Sequence, residues 1–265
     1  MPWLSIALEV EEGSADALSD ALLEAGAESV SLEGVRVSAL IDPGKDVEAL
    51  LQSVGIAASD VSVHRIEDRD WVLATQAQFP PLPVGNRLWI GASWHEPPRD
   101  RVVVRIDPGL AFGTGSHPST RLVLAFLEKH IHGGERVLDY GCGSGILAIA
   151  AAGLGAAHVD AVDLDPQAVE TTAANAQANG ARVNATLPDA LPTATYDLVV
   201  ANILSQTLIV LAPLLTERTA RGGQVVLSGI LSSQAAEVAD AYRHSFQTRT
   251  AAHEEGWALV VGRRP

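Results

Sequence analysis

Residues 136 to 165 read Arg-Val-Leu-Asp-Tyr-Gly-Cys-Gly-Ser-Gly (136–145), then an apolar run from Ile146 to Leu154, then His-Val-Asp-Ala-Val-Asp-Leu-Asp (158–165). This order of strand, glycine loop, helix, strand and acid decides the fold. The first strand candidate, Arg136 to Tyr140, runs into Gly141, Gly143 and Gly145, whose missing side chains let backbone N–H groups approach a ligand closely. A helix is predicted over Ile146 to Leu154. The second strand ends at Asp163, 22 residues after Gly141, where a carboxylate can accept hydrogen bonds from both hydroxyls of a ribose. The stretch therefore describes a nucleotide pocket of the β-α-β-acid kind.

Spacing separates the nucleotides. A dinucleotide fingerprint is Gly-x-Gly-x-x-Gly, with the third glycine allowing close helix packing while the helix N-terminus faces a pyrophosphate. Here the glycines alternate, and Ile146 stands where that third glycine would fall. Asp139 precedes the loop, and a carboxylate so placed can bind a cationic amino group. Together Asp139, Gly141, Gly143, Gly145 and Asp163 resemble the S-adenosylmethionine site of class I methyltransferases. The same residues also admit an NAD site or a plain strand-to-helix turn capped by an acid.

Outward from this motif, residues 133 to 265 alternate strand and helix as a parallel sheet requires. Further strands are expected at Arg182 to Leu187, Asp197 to Ala201 and Gln224 to Ser228. An antiparallel edge hairpin is expected at Phe246 to Thr250 and Trp257 to Gly262 around Glu254-Glu255-Gly256. On the N-terminal side, Arg87 to Gly91 and Arg101 to Ile106 read as strands flanking Trp94 and a Pro97-Pro98 turn. Earlier still, strand patterns at Trp3 to Val10, Glu28 to Leu32, Val35 to Ile41 and Val61 to Ile66 are separated by two helices. Ser14 is the expected cap of the first helix, and the second runs from about Lys45 to Val54. The order β-α-β-β-α-β predicts a small ferredoxin-like α+β domain over residues 1–66, joined by a linker, 67–80, to an α/β domain over 81–265.

Composition narrows the class. The chain has 265 residues, long enough for one large or two modest domains. Its hydrophobic content is 47%, but no apolar run approaches the roughly 18 to 20 residues of a membrane span, and the Met-Pro-Trp-Leu-Ser start carries no basic leader. A soluble cytoplasmic protein without membrane contact is the expectation. The single cysteine, Cys142, excludes an internal disulfide and a cysteine-based zinc site. It reads as a small filler in the glycine loop rather than a nucleophile. Net charge is −14, and residues 1 to 70 hold 15 Asp/Glu against 4 Lys/Arg. The acidic quarter argues against direct nucleic-acid binding and permits steering of a basic partner.

Several residues outside the glycine loop are candidates for chemistry. The glycine-rich segment from Ile106 to Thr120 follows a strand and precedes a predicted helix, Ser119 to Glu128. It can close over the methionine end of a cofactor, with Thr120 donating a hydroxyl. In the bland reading it is a helix-entry turn capped by Ser116 or Ser119. His117 is the candidate general base because its unperturbed pKa of about 6.5 suits proton removal near neutral pH; the alternative is a packing histidine. Asp189, after a strand, is a candidate for an adenine amino group. Asn202 ends the apolar strand Tyr196 to Ala201, where ligands of open α/β folds sit. Ile203 and Leu204 follow it in place of the two prolines of base- and glutamine-amide methyltransferases.

With Asp107-Pro-Gly-Leu-Ala-Phe-Gly-Thr-Gly-Ser-His117, Thr120, the glycine loop and Asn202-Ile-Leu in place, the chain resembles the ribosomal protein methyltransferase A family along its whole length. Ser119 and Thr75 depart from the usual pattern, standing where the family has a threonine and a second linker tryptophan. The resemblance implies a class I methyltransferase with a Rossmann-like, mostly parallel sheet, and an N-terminal domain that grips the substrate. It implies S-adenosylmethionine held by Thr120, Gly141, Asp163 and Asn202; the motif reading adds Asp139 and Gly143 to the cofactor site, and the candidates for the reacting end are Asn202, Phe112 and His117, with no metal. The implied substrate is large-subunit ribosomal protein L-eleven (L11), methylated on its α-amine and on lysine ε-amines by a monomeric enzyme. An RNA or small-molecule methyltransferase and a non-enzymatic ribosome-binding module are the competing readings.

Overall fold

Val137, Leu138, Val159, Val162 and Val199 to Ala201 are all buried, because strands at the centre of a parallel sheet are covered on both faces and read as continuous apolar runs. They belong to β8 (Arg136–Tyr140), β9 (His158–Val162) and β11 (Tyr196–Asn202). The computed structural model describes residues 3–10, 14–33, 36–42, 44–57, 61–66, 80–107 and 115–265. The chain divides into two compact units, Met1–Gln78 and Phe79–Pro265. The expected linker lies outside the described residues apart from Pro80.

In the N-terminal unit, β1 (Trp3–Glu9), α1 (Ala15–Glu24), β2 (Ser29–Glu33), β3 (Arg36–Ile41), α2 (Val47–Ser53) and β4 (Ser62–Ile66) follow in order. The antiparallel sheet runs β2-β3-β1-β4, the ferredoxin-like arrangement. Ile6, Leu22, Val37, Ile41 and Leu51 form its core. Asp46 caps α2 through the N–H groups of Glu48 and Ala49. Ser14 occupies the N-cap position of α1 but makes no side-chain cap bond, since its backbone is already helical at φ −96°, ψ −11°, where an N-cap residue is normally extended.

The C-terminal unit opens with a three-stranded sheet, β5 (Leu82–Val84), β6 (Leu88–Gly91) and β7 (Val102–Arg105), in which β6 pairs antiparallel with β5 and parallel with β7. Helix α3 (Pro118–His130) follows. Buried Glu128 accepts the N–H groups of Asn86 and Arg87, while the Arg87 guanidinium donates to the carbonyls of Glu128, Ile131 and Leu154. A buried carboxylate is tolerable only when bonded in this way, and the arrangement pins the end of α3 to the β5–β6 turn.

The main sheet also contains β10 (Asn184–Thr186), β12 (Thr219–Leu231), β13 (Gln247–Glu254) and β14 (Trp257–Arg263). Its order is β10-β9-β8-β11-β12-β14-β13. The first five strands are parallel and the last two form the expected antiparallel hairpin. Helices α4 (Ile146–Gly153), α5 (Pro166–Ala178), α6 (Ser205–Val210), α7 (Ala212–Arg218) and α8 (Ala235–Tyr242) complete the unit. Ile146 to Ala151 of α4 are all buried, as a helix apolar on every side must be. Strand β12 is longer than the predicted Gln224 to Ser228, because Gly222 and Gly223 pair with Arg264 and carry the strand back to Thr219. Strand order reverses between β8 and β11, so ligands of such sheets bind beyond the C-terminal ends of these two strands.

Candidate active site

Beyond those strand ends lies a cavity of about 670 Å³ whose walls include Ser116, His117, Thr120, Gly141, Gly143, Asn202, Leu204 and Trp257. A volume of that size fits a cofactor-sized ligand. Asn202 and Thr120, 82 residues apart, meet there, with the Asn202 amide donating to the Thr120 hydroxyl oxygen at 3.1 Å. With that amide so assigned, its carbonyl oxygen remains an acceptor for a substrate N–H.

The glycine loop is built tightly. Gly141 sits at φ +85°, and a Cβ there would collide with the side chain of Ile203, so the loop approaches the residue after Asn202 as closely as backbone can. Gly229, at φ +78° at the end of β12, meets the Ile203 backbone in the same way. The amides of Gly141 and Cys142 both donate to the Val162 carbonyl, and that of Gly143 to Asp163 Oδ2 at 3.0 Å. This corrects the expectation that these glycine N–H groups reach a ligand: they hold the loop to β9, and the glycines offer the cavity bare backbone. Helix α5 supports the loop from below, through Thr172 to the Gly143 carbonyl and Asn175 to the Ser144 carbonyl.

Asp163 follows β9 and is half-buried; Oδ1 accepts the Asp165 N–H at 3.1 Å. Each carboxylate oxygen keeps a second lone pair. Asp139 is 1% exposed. Its Oδ2 accepts the Ala148 N–H at 3.1 Å, whereas Oδ1 is buried without a partner. Burial pushes this carboxyl up to about 7, an effect the Ala148 N–H opposes and the charge of Asp163 reinforces. An orphaned buried carboxylate oxygen is costly unless a donor or cation reaches it. Neither aspartate is part of the cavity wall; they lie at the β8 and β9 side of the glycine loop.

His117 is the N-cap of α3. Its Nδ1 accepts the Ser119 N–H at 3.3 Å and lies 2.7 Å from the Ser119 hydroxyl, so neither Ser116 nor Ser119 is the cap. Pro118 at the first helical position is the sequence signal that identifies the preceding residue as the cap. An Nδ1 that accepts from a backbone amide leaves the ring proton on Nε2, so in this arrangement the basic lone pair of His117 faces its own helix. The ring packs edge-on against Trp257, with centroids 4.6 Å apart.

Phe112 lies outside the described residues. Asp189 is exposed in a single 3-10 turn, Pro188–Ala190, away from the cavity wall. Cys142 is 6% exposed, accepts from the Thr172 hydroxyl at 3.3 Å, and has its thiol pushed up to about 12 by burial and by the charge of Asp139. A thiol so protonated is a filler. Trp257 and Gly229 are cavity residues that the sequence pattern does not single out, since they come from strand ends remote from the motif.

Comparison with known proteins is consistent with this geometry. The family model described as "Ribosomal protein L11 methyltransferase (PrmA)" matches residues 33–265. A ribosomal protein L11 methyltransferase from Thiobacillus denitrificans is 45% identical over 293 aligned positions, covering 99% of both chains. One from Bordetella bronchiseptica is 45% identical, covering 97% of this chain and 98% of its own. Among solved structures, a ribosomal protein L11 methylase from Lactobacillus delbrueckii subsp. bulgaricus aligns with a TM-score of 0.63 and 34% identity, covering 70% of this chain and 99% of its own.

Proposed function

Because the chain belongs to the ribosomal protein L11 methyltransferase family, we propose that it transfers methyl groups from S-adenosylmethionine to the α-amine and lysine ε-amines of ribosomal protein L11. The observation that carries the reading is the meeting of Thr120 and Asn202 in one cavity with Gly141 and Gly143. In this reading Asp163 takes the ribose hydroxyls, the orphaned Oδ1 of Asp139 answers the cofactor's cationic amino group, and Thr120 and Asn202 border the methyl-bearing end. When bound, the cofactor supplies a methyl group on a positively charged sulfur.

The residues' own task is alignment. A lysine ammonium must lose its proton before it can act as a nucleophile, at a cost of about 4.6 kcal/mol at pH 7 from a pKa of about 10.4. Ile146, Leu147, Leu204 and Trp257 give the cavity an apolar lining, which disfavours the charged amine. The Asn202 amide oxygen can accept an N–H of the neutral amine and fix the direction of its lone pair. With His117 committed to its cap, the proton leaves to solvent rather than to a strong base.

The N-terminal ferredoxin-like unit is assigned to gripping the protein substrate. Its acidic balance suits a basic ribosomal protein and disfavours RNA phosphates. Among the described residues no helix is long and apolar enough to cross a membrane. The reading takes the enzyme as a cytoplasmic monomer. An acceptor panel tests it: with radiolabelled cofactor, L11 should take up label while ribosomal RNA and free small amines do not. Label on RNA alone would transfer the assignment to the competing class.

Asp139 makes cofactor binding pH-dependent. Its carboxyl, raised to about 7, must be ionised to answer a cationic amino group, so binding below pH 7 releases a proton. Affinity should therefore fall as pH drops from about 7.5 to 6, approaching tenfold per unit below the pKa. Calorimetry at pH 6.5 in buffers of different ionisation enthalpy should show this release, and Asp139→Asn should abolish it. Buffer-independent heats in the parent enzyme would show that Asp139 does not answer the amino group.

A further inference from the structure

Arg121, one turn into α3, holds together two parts of the cavity wall that the sequence separates by more than a hundred residues. Its Nη1 donates to the Ser116 carbonyl at 2.6 Å, its Nε to Glu254 at 2.7 Å and its Nη2 to Glu255 at 2.5 Å. Ser116 and His117 form one edge of the cavity and Trp257 another. Glu254 pairs with Trp257 across the β13–β14 hairpin, and Glu255 and Gly256 are its turn, both at positive φ. A glutamate at φ 47° is uncommon. Its place in the turn is what brings a second carboxylate to the guanidinium.

Stability alone is a weak reason for such a device. The Glu255 side chain is 68% exposed and that of Glu254 35%, and exposed ion pairs contribute little to folding. A planar fork that engages two carboxylates and a carbonyl at once is instead a good device for fixing a distance. The distance it fixes is the one between the Ser116–His117 edge and the hairpin that carries Trp257.

We propose that Arg121 is a positioning residue for methyl transfer: through Ser116, Glu254 and Glu255 it holds the contacting rings of His117 and Trp257 in place as the cavity wall past which the acceptor amine reaches Thr120 and Asn202. The inference rests on the cavity being the transfer site. Arg121 touches neither substrate nor cofactor in this account, so cofactor binding, which uses the glycine loop and Asp163, should be insensitive to it.

Steady-state kinetics of the full-length enzyme with L11 tests the proposal. Arg121→Gln should lower kcat/KM for L11 about tenfold or more, mostly through KM, with cofactor Kd unchanged within about twofold. Arg121→Lys, which can pair one carboxylate but cannot span all three acceptors, should recover part of the loss. Glu254→Gln combined with Glu255→Gln should reproduce the Arg121→Gln defect, and adding Arg121→Gln to that pair should cost little more. If Arg121→Gln does not fold, the lysine variant and the glutamate pair carry the same test. Unchanged kcat/KM in the variants, a parallel loss of cofactor affinity, or multiplicative effects of the arginine and glutamate changes would overturn the proposal. A parent enzyme inactive on L11 would overturn the functional reading instead.

Discussion

Asp163→Ala is expected to weaken S-adenosylmethionine binding by about 2 to 4 kcal/mol, roughly 30- to 1000-fold, while leaving the sheet folded. Two charge-assisted hydrogen bonds to ribose account for most of the loss. The rest comes from the glycine loop, because Asp163 Oδ2 also accepts the Gly143 N–H, and a loop released from β9 is less well ordered for the ligand. Asp163→Asn keeps one acceptor oxygen and should fall between the parent and the alanine variant. Asp165 is the control two residues away: its carboxylate caps α5 through the Gln167 N–H, so Asp165→Ala should cost about 1 kcal/mol of stability and little cofactor affinity. Calorimetry that finds the parent affinity in Asp163→Ala would remove Asp163 from the site.

Asn202→Ala is expected to act on the other half of the reaction. It should slow single-turnover methyl transfer on the order of 100-fold, the effect of losing alignment at the reacting atoms, with cofactor affinity changed only a few-fold. That split follows from position: Asn202 stands at the end of β11 against Thr120, whereas Asp163 lies on the β9 side of the glycine loop. The Thr120 hydroxyl would lose its amide donor in the variant, so Thr120→Val should show a smaller defect, and the two changes together should cost less than their product. A parent-like single-turnover rate would reduce Asn202 to a strand-end residue.

The sheet was legible in the sequence because its central strands are apolar on both faces and its loops are punctuated by glycine. The hairpin at Glu255-Gly256 and the β-α-β-β-α-β order of the N-terminal unit were legible for the same reason: turn residues and hydrophobic period agreed. What failed was local hydrogen bonding. Ser14 has the right side chain for a cap but a helical backbone, and His117 rather than a serine is the cap of α3, with Pro118 as the local signal for it. The alternating glycines suggest amides offered to a ligand, yet Val162 and Asp163 take those of Gly141, Cys142 and Gly143. No linear pattern reports such a partner, because it arrives from the neighbouring strand.

The site shows the same division. Thr120, Gly141, Gly143 and Asn202 were legible as candidates because each sits at a strand end, loop or helix start, and the fold brings all four to one cavity. Trp257 and Arg121 were not, since their roles depend on the pairing of β14 with β12 and on the reach of one side chain across 134 residues. Asp139 lay between these cases. Its position before the loop suggested an ammonium ligand, but only the structure reveals the orphaned oxygen that such a ligand would satisfy.

A crystal structure of the enzyme with S-adenosylhomocysteine, the product left after transfer, tests the central claim most directly. The account predicts ribose hydroxyls on the Asp163 carboxylate, the amino group answered by Asp139, and the sulfur facing the Thr120–Asn202 pair with room beside it for an amine. A ligand bound elsewhere, or seated in the cavity with its sulfur turned away from Asn202 and Thr120, would contradict it.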